Sequence, residues 1–242
     1  MKIKTIARKK TEYEVLSEYK MIKKLPLYFW RTFGDMKIAA KSTRFNDYGL
    51  TVWCGRQGSG KTISMLERLE QIRRDYPDVT IMTNFGYVHE TKPLTDWQQL
   101  IDERNPAGIV FCIDEIQNEF DVYQSRNFNI DILKVITQQR KQGIKILATS
   151  QVFTRVSKPL REQCFEVVEC HTVTGRWTFN RCFDADDYNY FIDNPNPEKK
   201  FDVPRKWRKN FVQSDSLRKK YDSYAVIKSM KKLVEKNKKN VA

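Results

Sequence analysis

The segment Gly55-Arg56-Gln57-Gly58-Ser59-Gly60-Lys61-Thr62 constrains this chain more than any other. It follows an apolar β-type run, Gly49–Cys54, and leads at once into an amphipathic stretch. The spacing GxxxxGK[ST] in that setting is that of a phosphate cradle. Glycines let the backbone curl so that successive N–H groups point inward at phosphate oxygens. The helix that begins near Thr62 adds the positive end of its dipole. In such a cradle Lys61 reaches the β- and γ-phosphates of a nucleotide, and the Thr62 hydroxyl ligates Mg²⁺.

The surrounding pattern is that of an α/β domain. Apolar residues Ile63, Leu66, Leu69 and Ile72 form a helical stripe, and Pro77-Asp78 ends it. Strands are predicted at 79–83, at 108–113 and at 144–150, with helices at 96–103 and 130–142. Alternation of strand and helix over about a hundred residues predicts a parallel sheet flanked by helices. After Pro159 the grammar changes. Residues 164–173 and 176–183 are β-rich, joined by Thr174-Gly175, and read as a strand pair near the sheet edge. A linker is expected at 194–200, and a last helix from Ser214 carrying Leu217, Tyr221, Tyr224, Ile227, Met230 and Leu233. Three segments result: a basic N-terminal extension at 1–47, a nucleotide-handling domain at 48–193, and a linker with a basic helical extension at 194–242.

A second motif strengthens the first. The apolar strand Ile109–Ile113 runs straight into Asp114-Glu115, which is the Walker B pattern. Asp114 would hold Mg²⁺ through water, and Glu115 would orient and polarise an attacking water. The plainer reading has either carboxylate capping a following helix. An adjacent glutamate and the lack of an NKxD tetrapeptide favour ATP hydrolysis over guanine-nucleotide signalling or phosphoryl transfer to a metabolite. The strand 144–150 closes with Thr149-Ser150-Gln151 at the carboxyl edge, where ligands bind open parallel sheets. Gln151 is there the candidate γ-phosphate sensor, or else a loop glutamine facing water.

The order Walker A, Thr83-Asn84, Ile113-Asp114-Glu115-Ile116-Gln117, then QQRKQG at 138–143 and ILATSQ at 146–151, resembles the FtsK–HerA superfamily of pumping ATPases. Within it, the zonula-occludens-toxin-like and viral DNA-packaging members are the most similar, over residues 48–165. The resemblance implies a RecA-like (ASCE) P-loop fold and an oligomeric, often hexameric ring that hydrolyses ATP with Mg²⁺ and moves DNA. It also implies an arginine from the neighbouring subunit, for which Arg140 is the first candidate and Arg126 and Arg161 the next. A viral capsid or portal vertex is then an expected partner.

Charge is distributed to match. Residues 1–42 carry 11 basic and 4 acidic residues, residues 198–242 carry 15 and 5, and the body between them 18 and 21. A near-neutral body with two basic flanks suits a polyanion partner. RKWRK at 205–209, which interleaves Trp207 with cations, and lysines 220, 228, 231, 232, 236, 238 and 239 are the expected DNA contacts. A solvated lysine face is the alternative. Five cysteines without CxxC spacing read as reduced thiols, Cys112 as a small buried hydrophobe. No signal peptide and no apolar run long enough to span a bilayer is recognised, so a cytoplasmic location is expected, in the host or with the virion. The aromatic, basic stretch 25–41 either packs Leu27, Phe29, Trp30 and Phe33 on the main domain or lies on a membrane surface. Two other functions stay in view: an envelope assembly or secretion factor of the zonula-occludens-toxin-like kind, and a nucleotide-dependent interaction module with little turnover.

Overall fold

A computed structural model describes residues 21–41, 44–96, 98–119, 143–194 and 203–221. The chain divides into two compact units, Met1–Thr43 and Arg44–Ala242. The first contains helix α1, Met21–Lys41, on which Phe29, Trp30 and Phe33 are exposed. Leu27 on the same helix is half-buried. The second unit begins at Arg44, and its Phe45 is a core residue, 1% exposed.

The second unit is built on one eight-stranded sheet in the order β3-β2-β4-β5-β1-β6-β7-β8. Its strands are β1 Gly49–Cys54, β2 Thr80–Thr83, β3 Lys92–Pro93, β4 Ile109–Ile113, β5 Ile144–Ser150, β6 Cys164–Val173, β7 Trp177–Asp184 and β8 Arg205–Val212. All pairings from β3 across to β6 are parallel, whereas β6–β7 and β7–β8 are antiparallel. Helix α2 (Lys61–Asp75) crosses from β1 towards β2. The short helices α3 (Gln98–Asp102), α4 (Ile116–Glu119), α5 (Lys158–Arg161), α6 (Ala185–Asp193) and α7 (Asp215–Arg218) complete the described set. The helix expected at 130–142 lies outside the described residues.

Burial on both faces explains the unbroken apolar runs of β1, β4 and β5. Alternate side chains of a strand point to opposite faces. Leu50, Val52, Phe111, Ile146 and Val167 enter one cluster, which Phe153, Leu160 and Ala185 close. Trp53, Val110, Leu147 and Val168 enter the other, against Met65, Leu66, Leu69 and Ile72 of α2. Each such fully buried aliphatic side chain contributes roughly 1.5–3 kcal/mol by leaving water. All five cysteines are free and buried; burial pushes the thiols of Cys164, Cys170 and Cys182 up to about 12.

Two expectations for the C-terminal region change. The basic segment 205–209 is not a free flank but the start of the edge strand β8. Its Lys209 is bonded to Glu67 at 2.7 Å and Lys206 to Glu166 at 3.3 Å. Trp207 faces the α2 side of the sheet, opposite Cys182. The helix starting at Ser214 ends at Arg218, because Val88 N–H then bonds Lys220 O and Tyr221 bridges to Tyr87. Tertiary pairing overrides the helical periodicity there. Residues beyond 221 lie outside the described residues, with most of the lysines of that flank. Among the described residues no helix is long and apolar enough to cross a membrane.

Candidate functional site

Parallel strands bring their carboxyl ends to one edge, and the loops leaving β1, β2, β4 and β5 meet there. The loop after β1 folds as the sequence requires of a phosphate cradle. Gly58 and Gly60 sit at φ +78° and +89°, in the left-handed region. A Cβ on Gly60 would fall 2.5 Å from Thr172 Oγ1, so only glycine fits against β6. Ser59 N–H closes the turn on Arg56 O at 3.0 Å, and the Thr172 hydroxyl donates to Ser59 O at 2.9 Å. Lys61, 7% exposed, folds its ammonium back to Arg56 O at 3.4 Å. The Ser59 hydroxyl is buried without a hydrogen-bond partner. Arg56, Gln57 and Gly58 are exposed, whereas Gly55 and Gly60 are half-buried.

Thr62, in the first turn of α2, points at the end of β4. Its hydroxyl donates to Asp114 Oδ1 at 3.0 Å. The Thr149 hydroxyl, from β5, donates to the same oxygen at 2.6 Å and accepts the Glu115 N–H at 2.9 Å. Asn84, one residue past β2, completes a two-way clamp: Asp114 N–H donates to Asn84 Oδ1 at 2.8 Å, and Asn84 Nδ2 to Asp114 O at 3.2 Å. Glu115 sits at φ +56°, a sparsely populated conformation for a residue with a side chain. Its carboxylate accepts from Gln151 Nε2 at 3.3 Å and from Gln117 Nε2. Thus Lys61, Thr62, Asp114, Glu115 and Gln151, expected together from sequence, converge. Arg126 and Arg140 lie outside the described residues. Arg161 ends α5, and its Nε is buried without a partner.

Sequence reading missed part of the constellation. Asn84 and Thr149 were visible as strand-end residues, but their roles follow from β2 and β5 both lying beside β4. No local signal marks the residues that line the rest of the cleft. A space of about 420 Å³ beside the cradle is bounded by Gly58, Gly60, Lys61, Thr62 and Ile63, and by Gly175, Gln213, Arg218 and Tyr221. Arg218 is held from both sides, its guanidinium donating to Gln213 Oε1 at 2.7 Å and to Gly175 O. Gln213 in turn donates to Thr178 Oγ1 at 2.8 Å. Lys220 and Tyr87 both bond the Glu70 carboxylate, tying this segment to α2. A larger space of about 540 Å³ opens under α2 farther from the cradle, and its charges pair within its own walls, as Lys145 with Asp47 and Lys209 with Glu67.

The donor set is chemically coherent. A hydroxyl and a carboxylate within 3.0 Å of each other are oxygen ligands suited to a hard divalent cation such as Mg²⁺. A glycine-rich turn, a buried lysine and a helix N-terminus suit a polyphosphate.

No protein-family model matches the sequence, and no curated protein matches it. Among solved structures, the chain is similar to the N-terminal domain of zonular occludens toxin from Neisseria meningitidis, at TM-score 0.52 and 14% identity, over 72% of this chain and 98% of that one. A fainter likeness extends to the genome-packaging NTPase B204 of Sulfolobus turreted icosahedral virus 2, at TM-score 0.41 and 12% identity over 57% of this chain and 93% of that one. The cytoplasmic domain of the type VII secretion ATPase EccC of Thermomonospora curvata aligns at TM-score 0.42 and 10% identity, over 58% of this chain and 23% of that one. The fold is that of a P-loop NTPase.

Proposed function

We propose that this chain is an Mg²⁺-dependent ATPase that translocates DNA as an oligomeric ring, most concretely in packaging a viral genome into a preformed shell. The observation that carries the reading is the hydrogen-bonded line Thr62–Asp114–Thr149–Glu115–Gln151 laid beside the cradle. In this reading the backbone of 55–60 and the Lys61 ammonium bind the phosphates of ATP. Thr62 and Asp114 hold Mg²⁺, which when bound neutralises charge between phosphate oxygens. Thr149 fixes both acidic residues at once. The Glu115 carboxylate positions the attacking water and takes its proton, and Gln151, bonded to that carboxylate, links the γ-phosphate position to β5. In this reading Arg218 and Tyr221, which bound the cleft outside the phosphate loop, contact the ribose and base. A neighbouring subunit supplies the arginine, for which Arg140 remains the first candidate. The motor then works in the cytoplasm, of the host where the source is viral, with DNA and a capsid or portal vertex as partners.

The test is the ATPase rate with and without DNA, together with native mass. Hydrolysis stimulated by DNA, lost in Lys61→Ala and Glu115→Gln, and an oligomeric mass are expected. A wild-type rate indifferent to DNA at low salt defeats the motor reading. An envelope-associated assembly factor is the second reading, favoured by α1, where Tyr28, Phe29, Trp30, Phe33 and Met36 are exposed on a helix that also carries Lys24, Arg31 and Lys37. Flotation of the chain with anionic liposomes, abolished by Trp30→Asp, would support it; no flotation counts against it.

A further inference from the structure

The antiparallel end of the sheet has two unlike faces. Residues paired across neighbouring strands project to the same side. On the side turned from α2, three rows run across β6, β7 and β8: Val173–Trp177–Val212, His171–Phe179–Asn210 and Glu169–Arg181–Arg208. The next row, Val167–Phe183, is buried, and Tyr188 of α6 packs on Phe183 with ring centroids 5.4 Å apart. Beyond that row no described residue covers the face. Trp177 is 48% exposed and Val212 68%, and His171, Arg181, Arg208 and Asn210 are exposed as well.

Two features of this face work against the stability of the free chain. The first is a pair of like charges: Arg181 and Arg208 stand directly opposite on β7 and β8 with no hydrogen bond or ion pair among the described residues. Such cross-strand pairs are destabilising. Glu169, opposite Arg181 on β6, offsets only part of the repulsion because it lies one strand farther from Arg208. The second is an exposed tryptophan, Trp177, packed on the half-buried Phe179. Trp177 and Phe179 lie with centroids 4.8 Å apart at 39°, and the indole N–H is fixed by Asn210 Oδ1 at 3.1 Å. Their faces form a preset surface rather than a mobile side chain. Phosphate would relieve the guanidinium pair, and bases would cover the rings. Cationic grooves lined by aromatics are how proteins hold single-stranded nucleic acid without sequence preference. A duplex, whose bases are already stacked, offers the rings nothing comparable.

We infer that this face is a binding platform for single-stranded DNA, with Arg181 and Arg208 on the backbone and Trp177 stacked on a base. The inference rests on the DNA-translocation reading and gives it a location. Of the sequence-derived segment 205–209 it keeps Arg208 but not Trp207, which lies on the other face, or Lys209, which is bonded to Glu67. The platform adjoins the nucleotide cleft: Gly175, in the hairpin between β6 and β7, lines that cleft and accepts from Arg218. A strand seated on the first row would therefore touch the hairpin that Arg218 holds.

Fluorescence anisotropy of labelled oligothymidylate with the full chain, titrated over a range of salt, tests the platform. Arg181→Ser/Arg208→Ser should weaken binding and lower the slope of log affinity against log salt by about 1.4, the value for two lost single-strand phosphate contacts. Trp177→Ala should weaken binding about tenfold, and Trp177→Phe should restore most of it. Variants that bind with wild-type affinity and slope, while DNA still stimulates the wild-type ATPase, overturn the platform and leave the motor reading standing. Duplex bound in preference, with Trp177→Ala neutral, overturns the stacking role. An altered native mass in Trp177→Ala with DNA binding intact makes the face a subunit contact and overturns the inference. If the wild-type binds no DNA and its ATPase ignores DNA, both readings fall together.

Discussion

The two halves of the sheet solve the same packing problem differently. From β2 to β1 both faces are covered: every residue of Ile109–Ile113 and of Ile144–Ser150 is buried, and in β2 only Thr80 is half-buried. From β6 to β8 the α2 side is buried in part, while the opposite side carries the exposed Trp177 and an opposed arginine pair. Asp114 at the parallel end is braced by its neighbours, bonded to Thr62, Thr149 and Asn84. Rigidity at the chemical edge and unsatisfied charge on the outer ribbon are what a machine needs if it positions a small ligand in one place and grips a polymer in another. The contrast can be attacked from either side by substitution.

The largest effect is expected at the carboxyl edge of the parallel strands. Glu115→Gln keeps the shape and the nucleotide contacts but removes the base, so hydrolysis should fall by about 10²–10⁴-fold with ATP binding retained. Steady-state turnover beside equilibrium binding of a fluorescent ATP analogue measures both. A loss of affinity equal to the loss of rate would mean that Glu115 holds the ligand rather than the water. Next in size is core truncation. Leu147→Ala in β5, fully buried against α2, should cost about 2–5 kcal/mol in denaturant unfolding. Val212→Ser on the open ribbon should stay within about 0.5 kcal/mol. Equal costs would erase the difference between the halves.

The same contrast explains what could be read in the sequence. Strands buried on both faces are unbroken apolar runs, and the cradle after β1 has a fixed spacing, so β1, β2, β4, β5, α2 and the Walker residues were all legible within a residue or two. The carboxylate pair was visible for the same reason. The brace on it was not: Thr149 and Asn84 are ordinary polar residues until strand order places β5 and β2 on either side of β4. Arg218 and Tyr221 return to the cradle from about 160 residues away, carried by β8, and no local pattern records that. Misreading 205–209 as a free basic flank had a definite cause. On an edge strand half-exposed on both sides, cations look the same in sequence whether they meet solvent or Glu67 and Glu166. Which face Trp207 takes depends on the register, including its shift between Cys182 and Phe183.

Smaller effects probe the seams. Thr149→Val removes the donor to Asp114 and the acceptor of the Glu115 N–H while preserving volume. Leaving those groups unpaired should cost about 1–3 kcal/mol, seen as a rate loss of about tenfold or more and a lower melting temperature. At the seam between α2 and the C-terminal segment, burial raises the Glu70 pKa, but hydrogen bonds from Lys220 and Tyr87 outweigh it and hold the carboxyl below the usual range. A depressed carboxylate contributes stability that is present above its unfolded pKa of about 4.3 and is lost as pH falls through the folded value. Thermal melting should therefore show Glu70→Gln less stable than wild type at neutral pH, with the gap closing in acid below about pH 4.3. A gap that persists unchanged in acid would show that the ionised group is not what ties the segment down.

The smallest effect has the opposite sign, and for that reason it discriminates best. If the open ribbon keeps an arginine pair at a cost, removing one member should stabilise the free chain. Arg208→Ser relieves the repulsion with Arg181 and breaks no described hydrogen bond or ion pair. Cross-strand pair energies of about 0.2–1 kcal/mol correspond to a rise of roughly 1–4 °C in melting temperature for a chain of this size. The rise should shrink as salt screens the pair, because both guanidiniums face water. Added oligothymidylate should reverse the ranking, stabilising the wild type more than the variant through linkage to binding. A lower melting temperature for Arg208→Ser at every salt concentration would mean that the guanidinium serves the fold, and the two halves of the sheet would then be alike in placing stability first.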